Sequence, residues 1–289
     1  MVSTKPFRVF VVCILSVAFL IGCAGHPGPA LPAAVSSPTP QVLEESLELE
    51  AYFQGFSAAF VFYDLGGDHY SRYNPEQCST RLLPASTFKI MNSLIGLETG
   101  VIRDADYAIK WDGTQFDIPS WNQDHTLKTA IQNSVVWYYQ ELARRVGREQ
   151  MQQYIDAAAY GNQDISGPVD LFWLNGTLKI SADEQVEFLK RLYRDDLPFS
   201  ERSMKIVKEI MTLEETNTYQ LRGKTGSGQT GGLYTGWFVG YVEEGENVYF
   251  FATNIQGANA DATGPKAKAI TLAILQDLDL LPQDCSCST

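Results

Sequence analysis

The chain has 289 residues, of which 45% are hydrophobic and 19% are charged, a composition that excludes a largely disordered chain and a polytopic membrane protein. The formal net charge of −12 argues against nucleic acid as a partner. Only three histidines occur, His26, His69 and His125, and their spacing matches no zinc site. We therefore expect chemistry that uses neither a metal nor a histidine base.

The first 22 residues predict a secretory signal peptide. Lys5 and Arg8 precede an apolar run at residues 9–22, which is shorter than the roughly 20 residues that span a bilayer. The run ends at Cys23, and this end resembles the lipobox of bacterial lipoproteins, in which the cysteine is acylated. A plain signal peptide with an incidental cysteine and an uncleaved anchor remain open. The expected location is the cell envelope or periplasm, with the protein held at the membrane by lipid.

The rest of the chain divides by composition into three parts. Residues 23–50 contain the lipidated cysteine and a proline-rich tether, whose acidic end at 42–50 is compatible with the start of a helix. Residues 51–282 form the predicted globular domain, which is long enough for a substantial core, and residues 283–289 are a tail.

The hydrophobic patterns of the domain predict strands at both ends of the chain and helices between them. The first strand covers 57–64 and is followed by a turn at 66–68, and a helix over 87–98 ends at Gly100. Further helices are predicted at 127–145, 148–159, 182–194 and 201–212, strands at 218–224, 235–243 and 247–255, and a last helix at 264–278. We expect an α+β fold with an antiparallel sheet, flanking helices and a helical insertion.

Ser86 and Lys89 are the first candidate catalytic pair. Their spacing of three residues places them on one helical face, with Ser86 at the helix N-terminus, where negative charge is favoured. Lys89 lies in an apolar segment, and burial lowers the pKa of a lysine, so that its amine can act as a base or become one. The alternative is a helix-capping serine with a lysine that extends to the surface, because Ser-x-x-Lys alone is common.

Two further motifs strengthen the catalytic interpretation. Lys224-Thr225-Gly226 ends a predicted strand, and Ser134-Val135-Val136 lies in the middle helical region. Serine enzymes that react with penicillins combine Ser-x-x-Lys, Ser-Asp-Asn and Lys-Thr-Gly in this order. The Val-Val pair in place of Asp-Asn argues against the group of these serine enzymes known as class A, in which Ser-Asp-Asn is the motif.

With these residues in place, the chain resembles a class D (oxacillinase-type) serine β-lactamase from about residue 55 to residue 280. The resemblance rests on seven motifs in the family's order, at residues 83–90, 134–136, 160–162, 164–167, 172–174, 224–226 and 236–240. It implies the serine β-lactamase and penicillin-binding-protein fold. Taken alone, Trp173 and Tyr160 would more often be core residues.

The resemblance implies a role for each matching residue. Ser86 would attack the β-lactam carbonyl, and Lys89, carboxylated by CO2 to N6-carboxylysine, would be the general base for acylation and deacylation. Trp173 would donate a hydrogen bond to the carbamate. Ser134 would relay a proton to the lactam nitrogen, and Lys224 would supply positive potential. Apart from CO2 or bicarbonate no cofactor is implied, and the partner is a β-lactam, such as a penicillin or an oxacillin-type substrate, bound by a monomer or dimer.

The remaining implied positions bind the substrate. The backbone N–H groups of Ser86 and Ser227 match the family's oxyanion hole. The side chains and backbone that would line the substrate site are those of Val136, Tyr160, Thr225, Gly226 and Ser227.

The sequence departs from the family at the arginine that pairs with the substrate carboxylate. Alignment on residues 269–271 places that arginine at Ala267, so the guanidinium is absent, and Lys266 or Lys268 could replace it as point charges. We expect weaker or altered carboxylate recognition, and Ala267→Arg should lower the KM for penicillins. Three cysteines, Cys78, Cys285 and Cys287, stay unassigned: a bridge between the last two would be strained, and one from Cys78 to the tail remains open.

Three other functions compete with β-lactam hydrolysis. A penicillin-binding protein or D-Ala-D-Ala peptidase shares the serine and lysine motifs, but Tyr160-Gly161-Asn162 and Trp173 disfavour it. A non-hydrolytic β-lactam sensor would need further membrane helices, and no long apolar stretch follows residue 22. A lipid-anchored binding protein without catalysis is the remaining alternative.

Overall fold

A computed structural model describes the chain at Glu44–Ser46 and at residues 48–282. The signal segment, Cys23, most of the tether and the tail therefore lie outside the described residues. A seven-stranded sheet with the strand order β1-β3-β2-β9-β8-β7-β6 forms the centre of the described part. These strands are β1 (Glu44–Ser46), β2 (Ser57–Asp64), β3 (His69–Tyr73), β6 (Thr212–Glu215), β7 (Tyr219–Thr230), β8 (Leu233–Glu244) and β9 (Asn247–Gly257).

The two ends of the domain meet at the middle of this sheet. β2 pairs with β9 along its full length, from Ser57 opposite Gln256 to Asp64 opposite Tyr249. All neighbouring strands are antiparallel except β1 and β3, which are parallel. The predicted α+β fold with an antiparallel sheet assembled from both ends is confirmed.

Helices cover both faces of the sheet. α8 (Gly264–Asp277) packs on β7, β8 and β9, whereas the helical insertion packs on the other face. In β2 the side chains alternate between the two faces: Ala58 and Phe60 join the core under α8, and Ala59 and Val61 join the core under the insertion. The insertion contains α1 (Pro75–Ser79), α2 (Lys89–Glu98), α3 (Leu127–Gln132), α4 (Val136–Val146), α5 (Arg148–Ala157), α6 (Ala182–Tyr193) and α7 (Glu201–Ile210).

The insertion also holds short elements that the hydrophobic pattern did not predict. β4 (Ala108–Ile109) and β5 (His125–Thr126) form a separate two-stranded sheet. Two 3-10 turns occur, at Ala85–Phe88 and Pro119–Trp121. Elements this short contain too few residues to show a period.

Two sequence predictions are wrong, one in the continuity of a helix and one in the type of element. The helix expected over 127–145 is two helices, α3 and α4, because the chain breaks at Ser134, which adopts a left-handed φ of 52°. The acidic segment at 42–50 contains the strand β1 instead of a helix start, because its backbone pairs with β3. The three C-terminal strands are longer than predicted, since hydrogen bonding continues into their polar ends.

Three observations bear on the cysteines, metals and membranes. Cys78 is a free, fully buried thiol; its Sγ donates to the carbonyl of Tyr73 over 3.2 Å, and burial raises its pKa to about 12. Cys285 and Cys287 lie outside the described residues. Among residues 44–46 and 48–282, no cluster of His, Cys, Asp or Glu could hold a metal ion. In the same part of the chain, no helix is both long and apolar enough to span a bilayer.

Candidate active site

Ser86 lies in the 3-10 turn Ala85–Phe88, directly before α2. The residue before it, Ala85, has a left-handed φ of 48°, a conformation that costs an alanine about 1–2 kcal/mol. Such strain persists only where surrounding contacts hold it, and it is common at functional sites. The predicted helix therefore begins with a tight, strained turn, and this turn presents the serine at the edge of the sheet.

Lys89 is the first residue of α2 and is 0% exposed. Its Nζ lies 2.6 Å from Ser86 Oγ, and the ring centroid of Tyr139 is 5.5 Å away. Burial, followed by the charge of Lys224, holds the pKa of the Lys89 amine well below its usual range. A neutral amine in contact with a serine hydroxyl has the geometry of a base beside its nucleophile.

Trp173 is buried beside the same turn, with its ring stacked on Phe88 at a centroid distance of 5.4 Å. Its indole Nε1 has no hydrogen-bond partner among the described residues, although the atom is buried. Buried donors without a partner are rare in folded proteins, and each one needs an explanation. Trp173 thus offers an unused N–H donor in the core next to the turn that carries Ser86.

Ser134 and Lys224 form the second pair. The break between α3 and α4 exposes Ser134, and Lys224 Nζ donates to its Oγ over 3.0 Å and to the carbonyl of Thr225 over 2.9 Å. Lys224 is 5% exposed, and burial together with the charge of Lys268 lowers its pKa to about 7. The positive charge of Lys224 is therefore titratable close to neutral pH.

β7 lies against the serine turn, and one of its edges is only partly covered by β6. β6 covers this edge only as far as Arg222, and the N–H of Gly223 donates to the carbonyl of Met211 on the same side. Because N–H groups alternate between the two edges of a strand, the N–H of Ser227 also points to this edge. The side-chain Oγ of Ser227 faces α8 and accepts from the N–H of Gly264 over 2.8 Å.

Gly226 allows β7 to lie against the turn. A Cβ at this position would lie 3.0 Å from the carbonyl oxygen of Pro84 and 3.2 Å from the backbone N of Ser86. Any larger residue would push the strand away from the serine. The glycine therefore allows the strand segment that precedes Ser227 to lie close to the backbone N of Ser86.

The two candidate carboxylate-binding lysines lie in different places. Lys268 lines a pocket of about 280 Å³ together with Lys224 and Thr225. Lys266 is exposed and lines another depression, beside Phe56 and Asn259. Ala267 is buried on the face of α8 that packs against the sheet, so its side chain ends in the core. The effect of Ala267→Arg on KM stays a prediction.

Val136 and Tyr160 have different surroundings. Val136 is partly exposed at the start of α4, two residues from Ser134. Tyr160 is 1% exposed and makes edge-on ring contacts with Phe88 and Phe188 at centroid distances of 5.7 and 5.0 Å. The predicted substrate contact of Tyr160 is therefore corrected, because its side chain is enclosed in the core behind the turn.

An aromatic loop next to Ser134 has no counterpart among the predicted site residues. Trp121 donates from its indole to the carbonyl of Asn133 over 3.0 Å, and Trp137 donates to the carbonyl of Trp121 over 2.9 Å. Phe116 packs edge-on against Trp121. These bonds fix a partly exposed aromatic surface at the break that carries Ser134. The only sequence signal for this aromatic surface is the frequency of aromatic residues at 111–121.

Comparison with known proteins agrees with this geometry. The model of the penicillin binding protein transpeptidase domain matches residues 57–276. A probable β-lactamase of Bacillus subtilis, YbxI, is 40% identical over 273 residues, which cover 94% of this chain and 98% of that protein.

Solved structures give the same result. The class D β-lactamase YbXI from Nostoc aligns with a TM-score of 0.78 and 45% identity, over 81% of this chain and 99% of that one. The C-terminal domain of the Bacillus licheniformis penicillin receptor BlaR aligns with a TM-score of 0.80 and 38% identity, over 84% and 100%. The chain belongs to the penicillin-binding transpeptidase family and, within it, to the class D β-lactamases, which are serine hydrolases.

Proposed function

We propose that the chain hydrolyses β-lactam antibiotics through an acyl-enzyme on Ser86, with carboxylated Lys89 as the general base for both steps, and so confers resistance. The observation that carries this proposal is the 2.6 Å contact between Lys89 Nζ and Ser86 Oγ in a fully buried site. The nucleophile and its base are thus in contact before substrate binds, as covalent catalysis requires.

The surroundings of Lys89 fit carboxylation by CO2. Only a neutral amine reacts, since its lone pair forms the N–C bond and one proton leaves, and burial keeps the pKa of Lys89 low. The resulting carboxylate would supply a general base with two acceptor oxygens. Trp173 has an unpaired buried N–H that could donate a hydrogen bond to this carboxylate. The cation of Lys224 would stabilise the negative charge of the carboxylate by attraction.

The remaining residues divide the reaction between two serines. Carboxylated Lys89 would take the proton of the Ser86 hydroxyl, and Ser86 Oγ would attack the lactam carbonyl. The N–H groups of Ser86 and Ser227 would bind the oxyanion. As the C–N bond of the ring breaks, Ser134 would pass a proton to the nitrogen, with Lys224 beside it at 3.0 Å. Water activated at Lys89 would then cleave the ester and release Ser86.

Lys268 is the candidate for the substrate carboxylate. It faces the pocket that Lys224 and Thr225 also line, whereas Lys266 faces a different depression. A lysine offers one point charge in place of a bidentate guanidinium, so orientation of the carboxylate would depend more on the hydroxyl of Thr225.

The test uses the purified full chain and a chromogenic cephalosporin, with and without bicarbonate after removal of dissolved CO2. We expect turnover that rises with bicarbonate, and Lys89→Ala should lower kcat by about 100- to 10,000-fold because the base is lost. Thr253→Val, a buried polar change under α8, is the control and should keep the bicarbonate response.

A β-lactam sensor is the second candidate, because the penicillin receptor domain of BlaR aligns over its whole length. A sensor would give one equivalent of released chromophore and then stop. That stoichiometric burst, without bicarbonate-dependent turnover, would contradict the proposed hydrolytic cycle and favour the sensor or a transpeptidase.

The location of the protein is a separate proposal. The run before Cys23 supports export and lipidation, which would hold the enzyme, as a monomer or dimer, at the cell envelope. Hydrolysis there would destroy a β-lactam before it reaches targets at the membrane.

A further inference from the structure

A buried amide contacts the serine turn from the helical side. Gln185 lies on α6, is 0% exposed, and donates from Nε2 to the hydroxyl of Thr87 over 2.8 Å. Thr87 in turn donates from Oγ1 to the carbonyl of Pro84 over 2.8 Å, and its backbone N–H reaches the same oxygen over 3.2 Å. Gln185, Thr87 and Pro84 are therefore joined by a continuous chain of hydrogen bonds.

This chain has a defined direction. The Thr87 hydroxyl carries one hydrogen, and because it accepts from Gln185 its own hydrogen is directed to Pro84. The carbonyl of Pro84 and the backbone N of Ser86 are also the atoms that a Cβ at Gly226 of β7 would meet, at 3.0 and 3.2 Å. The strained residue, Ala85, lies between them. The turn is thus held between a strand on one side and the amide of Gln185 on the other.

The amide of Gln185 is not explained by stability alone. Its Oε1 is buried with no hydrogen-bond partner among the described residues. Burying an unpaired carbonyl is unfavourable, so an apolar side chain of similar size would avoid that cost. The amide donates to Thr87, directly beside the proposed nucleophile, and the hydroxyl of Tyr160 lies within hydrogen-bond reach of both Gln185 and Thr87.

We infer that Gln185 is a positioning residue for β-lactam hydrolysis. Acting through Thr87 and Pro84, it holds the left-handed turn at Ala85, and this fixes the N–H and Oγ of Ser86 against β7. The inference rests on the proposed role of Ser86 as nucleophile. Displacement of the turn would misplace the oxyanion donor in acylation and in deacylation alike, while the carboxylation of Lys89 would continue.

The test compares Gln185→Leu with wild type in single-turnover experiments that separate acylation from deacylation. A misplacement of about 1 Å costs roughly 100-fold in rate, so we expect both constants to fall by about 10- to 100-fold. The bicarbonate concentration for half-maximal activity should not change. Thr87→Val should reproduce the loss, Thr87→Ser should lose less because it keeps the hydroxyl, and the double variant should fall no further than either single one.

The controls separate positioning from stability and from the proposed function. Thr253→Val breaks the buried bond between Thr253 and Thr271 on the opposite face of the sheet, so it should lower stability while both rate constants per folded molecule stay unchanged. Equal behaviour of Gln185→Leu and Thr253→Val would overturn the inference, as would additive losses in the double variant. If Gln185→Leu does not fold, the two Thr87 variants decide. Full turnover by Ser86→Ala would contradict the proposed function instead.

Discussion

Lys89 and Lys224 are both buried lysines beside a serine, but their surroundings differ. Lys89 is fully enclosed, contacts Ser86, and faces the ring of Tyr139. Lys224 borders a pocket, bonds to Ser134 and Thr225, and has the cation of Lys268 nearby. Burial lowers both pKa values, and it lowers that of Lys89 well below the usual range and that of Lys224 to about 7.

Under the proposed mechanism, this difference would let one fold use the lysine side chain in two roles. Burial and the charge of Lys224 hold the pKa of Lys89 well below its usual range, which favours the neutral amine that a base or a carboxylation site needs. A lysine with hydroxyl and carbonyl acceptors can carry a proton near neutral pH and can attract a carboxylate. The two lysines also repel one another when both are charged, which favours a state in which only one of them carries a proton.

Of the three changes that test this comparison, removal of the indole donor near Lys89 should have the largest effect. Trp173→Phe keeps the aromatic packing on Phe88 but removes Nε1–H, and a buried hydrogen bond to a charged group is worth about 1.5–3 kcal/mol. We expect kcat to fall by roughly 10- to 100-fold and half-maximal activity to require more bicarbonate. Trp237→Phe, which loses an indole bond to the carbonyl of Leu83, is the control and should leave the bicarbonate dependence in place. An unchanged dependence in Trp173→Phe would remove the assigned role of the indole.

A smaller effect is expected at the titratable lysine. Lys268 disfavours a second cation, so Lys268→Gln should raise the pKa of Lys224 and shift the alkaline limb of kcat/KM to higher pH, by at most about one unit. The KM for substrates with a carboxylate should rise at the same time. Lys266→Gln should shift neither, because Lys266 faces another depression. The measurement is a pH profile of kcat/KM for the three proteins, and equal shifts in both variants would refute the distinction.

The smallest effect concerns stability. Because the pKa of Lys89 is lower in the folded than in the unfolded chain, folding releases a proton and the cost of burying the charge is greatest at low pH. Without bicarbonate, Lys89→Met should therefore have a free energy of unfolding about 1–2 kcal/mol higher than wild type at neutral pH. The measurement is denaturant-induced unfolding, with a higher midpoint expected for the variant. The gain should shrink as pH rises toward the unfolded pKa of about 10.4. Lys190→Met is the contrast: it should lose stability, since Lys190 pairs with Glu187 and Tyr70.

Contacts between residues that are close together in the chain could be predicted from the sequence. Ser86 and Lys89 meet because three residues make about one helical turn, and the order of the motifs indicated the family before any contact was known. The period of two in β2 and the Gly245 turn between β8 and β9 likewise depend on neighbours in the chain. These features are determined locally, so the sequence by itself determined the contact between Ser86 and Lys89 and the α+β class.

Only the tertiary structure decided the contacts that join distant residues. Lys224 and Ser134 are 90 positions apart, and Gln185 and Thr87 are 98 apart, so no local period links them. The break at Ser134 contains no glycine or proline that would predict it. The position of Lys268 in the pocket depends on how α8 packs on β7. Burial is the main cause of the lowered pKa values of Lys89 and Lys224, and burial exists only after the chain has packed.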